Sequence, residues 1–192
     1  MIFGLITLPA KSDSIHRRPL GESQEITDMT GAERNTLKDQ LHGMIARQGN
    51  AIDFATPSRW VVEGIHQPEP FTASLSLLLP DRAILYFEGC SIAPEVTSLY
   101  ERYRAANPAK VMRDTFVPVP ATYHVIYSPS FIASLAGLLT THALPEFIDH
   151  FKAYRDESLL FSFHDAFAGE LLVSEDIPEK TVAEFCRRLG AS

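Results

Sequence analysis

The chain has 192 residues, 45% of them apolar and 21% charged, with a mean hydropathy of −0.02, the profile of one folded domain rather than of a disordered chain. Its 17 basic and 24 acidic residues leave a net charge of −7, which argues against a nonspecific phosphate-backbone binder, since such affinity comes from clustered cations. Two cysteines, Cys90 and Cys186, cannot build a disulfide scaffold or a four-thiolate zinc site.

Residues 1–10 read as a strand ended by Pro9, and residues 11–29 as a polar arm without periodicity. No cation precedes the apolar start, and Lys11, Arg17 and Arg18 follow it, the reverse of a secretory signal. Thr30 and Glu33 have capping-box spacing, and Leu37, Leu41, Met44 and Ile45 follow at helical intervals up to Gly49. Residues 59–65 read as a strand. Residues 75–79 and 83–87 read as two more, joined by Pro80-Asp81-Arg82 into a hairpin. Pro94 opens a helix with Val96, Leu99, Tyr100 and Tyr103 on one stripe, stopped by Asn107-Pro108.

Further on, residues 115–119 are extended but broken by Pro118 and Pro120, which suits an edge strand or a loop. Residues 122–127 read as a strand. Ser128-Pro129 caps a helix over residues 130–142 that is apolar almost all round, so it is expected at the centre of the core. Pro145 is expected to start another helix, with Phe147, Ile148, Phe151 and Tyr154 on one face. Residues 158–165 alternate, Leu159, Phe161 and Phe163 inward against Ser162 and His164, with Leu160 the exception. Gly169 turns this strand into residues 171–174. Pro178, Glu179, the stripe Val182, Phe185, Cys186 and Leu189, then Arg187, Arg188 and Gly190 mark a last helix.

Strands in hairpins rather than in strict alternation with helices predict an α+β fold: a mainly antiparallel sheet of about five or six strands, with a mixed sheet as the alternative, under amphipathic helices. Residues 1–29 form an N-terminal strand and arm, and residues 30–192 one domain. The most apolar late run, residues 131–144, is shorter than the ~20 residues that span a bilayer, so a cytoplasmic protein without membrane contact is expected.

One short motif suggests chemistry. Gly89-Cys90-Ser91-Ile92-Ala93 lies between a strand and a helix with small residues flanking the serine. It resembles the nucleophile elbow of the α/β-hydrolases, with Ala at the last position. The resemblance implies a nucleophile at Ser91, or a thiol at Cys90, served by the later Asp149 and His164. The strand before it, however, reads as one arm of an antiparallel hairpin, whereas the elbow belongs to a parallel sheet. The seven histidines form no H-E-x-x-H or H-x-H pair, so neither a metal nor a cofactor is expected. His164 and Asp165 are strand neighbours, expected on opposite sides.

Between residues 121 and 192 the acidic residues outnumber the basic ones, and Glu170, Glu175, Asp176, Glu179 and Glu184 all belong to the final hairpin and helix. The leading expectation is therefore a non-catalytic protein–protein interaction or inhibitor-type module, meeting a basic protein partner through this acidic face. The alternative is a small serine or cysteine hydrolase at residues 89–93.

Overall fold

The computed structural model describes residues 15–19 through their backbone, and residues 51–56, 58–115 and 117–190. The strand expected at residues 1–10 and the helix expected from Thr30 lie outside the described residues. Among the described residues seven strands, β1 (Ile15–Pro19), β2 (Ser58–Val62), β3 (Ile84–Gly89), β4 (Ala121–Ile126), β5 (His150–Arg155), β6 (Ser158–Phe163) and β7 (Leu171–Ser174), form one antiparallel sheet. Their order is β1-β2-β7-β6-β5-β3-β4. Helices α1 (Pro68–Leu78), α2 (Pro94–Arg102), α3 (Pro129–Leu139) and α4 (Glu179–Arg188) bury their apolar residues in one cluster on one face of that sheet. The protein is thus an α+β fold with an antiparallel sheet, and β1 within the polar arm extends the sheet at one edge.

Aromatic rings make the core on the helix side. Phe87 of β3 is stacked between Tyr100 of α2, at 4.4 Å, and Phe151 of β5, at 4.7 Å. Phe71 of α1 meets Phe151, Phe163 and Phe185 at 5.3 to 5.9 Å between centroids. Such pairs add specific ring–ring attraction to the burial of large apolar surfaces. The opposite face is also covered. There Tyr86, Tyr154, Leu159 and Val111 are buried together, with Ile52, Phe54, Ile84 and Ala109 packed against them.

Several expectations are corrected. Residues 75–78 belong to α1 and not to a strand, with Leu79 as its C-cap: Pro68 opens the helix, and Phe71, Leu75 and Leu78 bury at helical spacing. The hairpin expected there is a helix-to-strand connection. Residues from 145 onward make a single 3-10 turn, Leu144–Glu146, and then β5. Phe147, Ile148, Phe151 and Tyr154 imitate a helical stripe because both faces of β5 are buried, which erases the alternation that marks a strand. Residues 115–119 are irregular where described.

Helix α3 is peripheral. Among its residues only Phe131 and Leu135 are buried. Leu160, the residue out of step in β6, lies at a register shift: Ala153 pairs with Phe161 but Tyr154 with Leu159. The irregularity sends Leu159 to the second face, beside Tyr154, and not inward with Phe161 and Phe163.

Two glycines test this packing with opposite signs. A Cβ on Gly169 would stand 2.2 Å from the backbone oxygen of His164, so Gly169→Ala should destabilise the protein by about 2 kcal/mol and lower the Tm by roughly 5 °C. A Cβ on Gly137, in the interior of α3, meets nothing within 4 Å. Gly137→Ala should stabilise by about 0.5 to 1 kcal/mol. Thermal denaturation of the two variants beside the parent checks both signs.

Candidate functional site

At one end of the sheet, where β3 ends and β5 begins, an open cleft of roughly 430 Å³ is lined by Cys90, Thr115, Asp149, His150 and Asp165, with Leu144 and Pro145 on its apolar side. Strand pairing builds it. Glu88 is opposite His150 in the ladder, so the residues that follow Glu88 and precede His150 emerge together. The Asp149 carboxylate accepts the Cys90 backbone N–H at 2.8 Å, while its main chain bridges Glu88 and Ala166. Desolvation, and then the hydrogen-bonded Asp149 carboxylate, push the Cys90 thiol above its ordinary pKa. A thiol shifted that way is a poorer nucleophile at neutral pH.

His150 is buried and fully bonded. Its Nδ1 accepts the Asp165 backbone N–H at 3.0 Å, which places the ring proton on Nε2, 2.9 Å from the Thr115 hydroxyl. Hydroxyl, imidazole and the Asp165 carboxylate, 3.8 Å from Nδ1, therefore line up in the manner of a catalytic triad with the wrong tautomer. A base must receive the hydroxyl proton on Nε2, and here Nε2 already carries one.

Beneath the cleft, on the second face of the sheet, lies a buried charged network. Glu88, 0% exposed, accepts from the Tyr86 hydroxyl at 2.9 Å, the Asp114 N–H at 3.1 Å and the Thr115 N–H at 2.5 Å. Lys152 donates to the Met112 carbonyl at 2.7 Å and to Asp114 Oδ1 at 2.8 Å. Burial, and then Glu88, push the Tyr86 phenol well above its usual pKa. These groups satisfy the main chain of residues 112–115, which has no ladder of its own.

The sequence-derived candidates separate in space. Cys90 and Asp149 share the cleft. Ser91 is exposed beside it, and among the described residues no hydrogen bond or ion pair joins it to His164 or Asp149. Strand β3 is antiparallel to both neighbours, so the parallel sheet that an elbow requires is missing from its surroundings. His164 stands instead against His150, with ring centroids 4.4 Å apart. Its Nδ1 lies 3.3 Å from Asp165 Oδ2. The expectation that His164 and Asp165 face apart fails because Asp165 has left the strand, with a φ of 43°.

The acidic candidates are only partly available to a partner. Glu184 is bound to Arg187 at 2.7 Å and to Arg188 at 2.8 Å on its own helix, and those two hydrogen bonds hold its carboxyl down at about 2. Asp176 folds back to Ser174 Oγ at 3.3 Å. Glu175 sits in the field of Arg59, Glu170 is half-buried, and Glu179 is exposed in the first turn of α4.

A different surface stands out. From residue 115 to residue 145 the sequence contains no Asp, Glu, Lys or Arg, yet this stretch forms edge strand β4 and peripheral α3. Val117 is 89% exposed and Val119 73%, while Ile126, 48% exposed, faces the second side of the sheet beside its ladder partner Ile84. The missing charge was visible in the sequence as a gap, but an apolar helix is ordinarily read as core. In comparisons with protein-family models, with curated proteins and with solved structures, the chain matches none.

Two measurements probe the second face. His124 Nδ1 is hydrogen-bonded to the Tyr154 hydroxyl at 3.0 Å, and its pKa is lowered from 6.5 to about 4 by burial and then by Arg104. The unfolded chain takes up this proton before the folded one, so stability should fall as pH drops from 6.5 towards about 4 and level off below. Urea midpoints across that window should show a shallower slope in His124→Gln than in the parent. Lys152→Met should cost about 3 kcal/mol or more, since it strands the buried Asp114 carboxylate. A double-mutant cycle with Asp114→Asn should show coupling between the two positions.

Proposed function

We propose that the chain is a non-catalytic cytoplasmic protein–protein interaction module, whose contact face is the uncharged surface of β4, residues 117–120 and α3, and whose occupant there is a second copy of the chain. The observation that carries this reading is the charge-free stretch from residue 115 to residue 145, which buries Val125, Phe131 and Leu135 but leaves Val117, Val119 and the outer side of α3 exposed. Interface centres are depleted in charge and rich in apolar and aromatic side chains, and monomer surfaces rarely expose such patches without use.

Charge selects the occupant. At −7 net, two copies repel across their acidic surfaces, and only a face without charge brings them together free of that cost. A basic partner would find no counter-charge on it. Geometry agrees. β4 is a sheet edge, covered by residues 103–105 only opposite its end at His124–Ile126 among the described residues. An antiparallel edge strand is self-complementary about a two-fold axis. The acidic residues Asp176 and Glu179 lie towards the opposite edge of the sheet, near β7 and β2, and would add a separate polar contact.

Sedimentation velocity over a concentration series tests the reading. The parent chain should dimerise with a Kd below about 100 µM, within the range of transient interfaces, and added salt should leave the dimer intact. Val119→Asp combined with Ala133→Glu, both at exposed positions, should return monomer with an unchanged Tm. A parent that stays monomeric, a dimer that survives the double substitution, or an assembly dissolved by salt would each overturn it, the last by pointing to paired charges instead.

A further inference from the structure

We propose that His150, His164 and Asp165 form a binding site for a divalent transition-metal ion of the zinc type, with Asp114 as an additional carboxylate ligand. One donor atom from each of the first three residues lies within 4.8 Å of the others. His164 Nδ1 and Asp165 Oδ2 are 3.3 Å apart, and His150 Nδ1 and Asp165 Oδ1 are 3.8 Å apart. Ligands of a tetrahedral zinc ion, bonded at about 2.0 to 2.1 Å, stand about 3.3 to 3.4 Å from one another. The first pair thus has the required separation; the second distance is to the other oxygen of Asp165, so a single ion needs both histidines brought to one carboxylate oxygen, a contraction that rotation of the exposed His164 and Asp165 side chains supplies.

A second observation points to a cation at the same place. Asp114 Oδ2 is buried without a hydrogen-bond partner and lies 4.0 Å from His150 Nδ1. Orphaned buried carboxylate oxygens are rare in folded proteins, and a positive group satisfies them. Lys152 already engages the other oxygen of the same carboxylate. Two imidazoles with two carboxylates suit a borderline ion such as zinc, cobalt or nickel, whereas magnesium and calcium select all-oxygen sites.

His150 is also oriented as a metal ligand should be. Its Nε2–H is engaged by the Thr115 hydroxyl at 2.9 Å, the outer-shell contact that fixes tautomer and ring plane in metal-bound histidines. The lone pair on Nδ1 faces the two acids. At present it accepts the Asp165 amide, so metal must displace that N–H. The exchange occurs at a residue already in the left-handed region, with φ 43°, and binding is therefore coupled to the conformation of the turn at residues 164–169. This site stands independently of the docking face proposed above.

The test is titration of the purified chain with zinc, read by calorimetry and by Tm, and with cobalt, read by its visible absorption. One equivalent should bind with a Kd in the micromolar range, the Tm should rise with zinc, and cobalt should give the intense bands of a four-coordinate site. His164→Ala and Asp165→Asn should each weaken binding at least tenfold while leaving the metal-free Tm unchanged, and Cys90→Ser should leave binding intact. The proposal is overturned by a lack of saturable binding below about 100 µM, or by binding that survives His164→Ala. It also fails if binding is lost with Cys90→Ser, or if magnesium raises the Tm as zinc does.

Discussion

The burial of the Glu88 carboxylate is the constraint on which the rest of the arrangement depends. A sheet needs both faces covered when its central strands are apolar on both, and among the described residues helices cover one of them. The other cover includes chain without regular structure, whose amides cannot find partners in a ladder. Glu88 answers two of those amides and the Tyr86 hydroxyl at once, and Lys152 answers the Met112 carbonyl. Removing water from a carboxylate is expensive, and only this number of directed donors makes it tolerable. The segment so pinned carries Thr115 and Asp114 to the mouth of the cleft.

The same accounting explains why a cleft containing a thiol, an imidazole, a hydroxyl and two acids is chemically quiet towards nucleophilic catalysis. Each group is already committed. The Asp149 carboxylate holds a backbone amide, the Cys90 thiol is discouraged from ionising by that carboxylate, and His150 is locked into the tautomer that donates to Thr115. What remains, among the described residues, is a carboxylate oxygen on Asp114 without a hydrogen-bond partner and, beside His150, the exposed pair of His164 and Asp165. Those are properties of a place that receives a positive ion rather than one that attacks a substrate.

Much of the architecture could be read from residue spacing. The α+β class, the β6–β7 hairpin and helices α2 and α4 follow from stripes, turns and caps that agree with one another. The errors share a physical cause. β5 has both faces buried, so the period-two signal vanished and Phe147, Ile148, Phe151 and Tyr154 imitated a helix. The leucine-rich run within α1 imitated a strand because Pro68 and Phe71, which open the helix and its buried stripe, lie outside that window. α3 was expected at the centre because apolar composition does not distinguish a core helix from one that faces outward. The cleft was half legible: Cys90 and Asp149 were named, but His150 was not recognised as the central imidazole. Its partners come from positions 114, 115 and 165, and no local spacing connects them.

The shift of pairing between Ala153 and Tyr154 has a wider meaning for the hairpin of β5 and β6. A regular ribbon has one inside and one outside along its whole length. The extra residue at Leu160 reverses that assignment partway, so one end of the ribbon delivers benzene rings to the helical layer and the other end turns a phenol and a leucine towards the irregular cover. A single hairpin thereby belongs to two cores, joined through one residue that has no partner in the β5–β6 register.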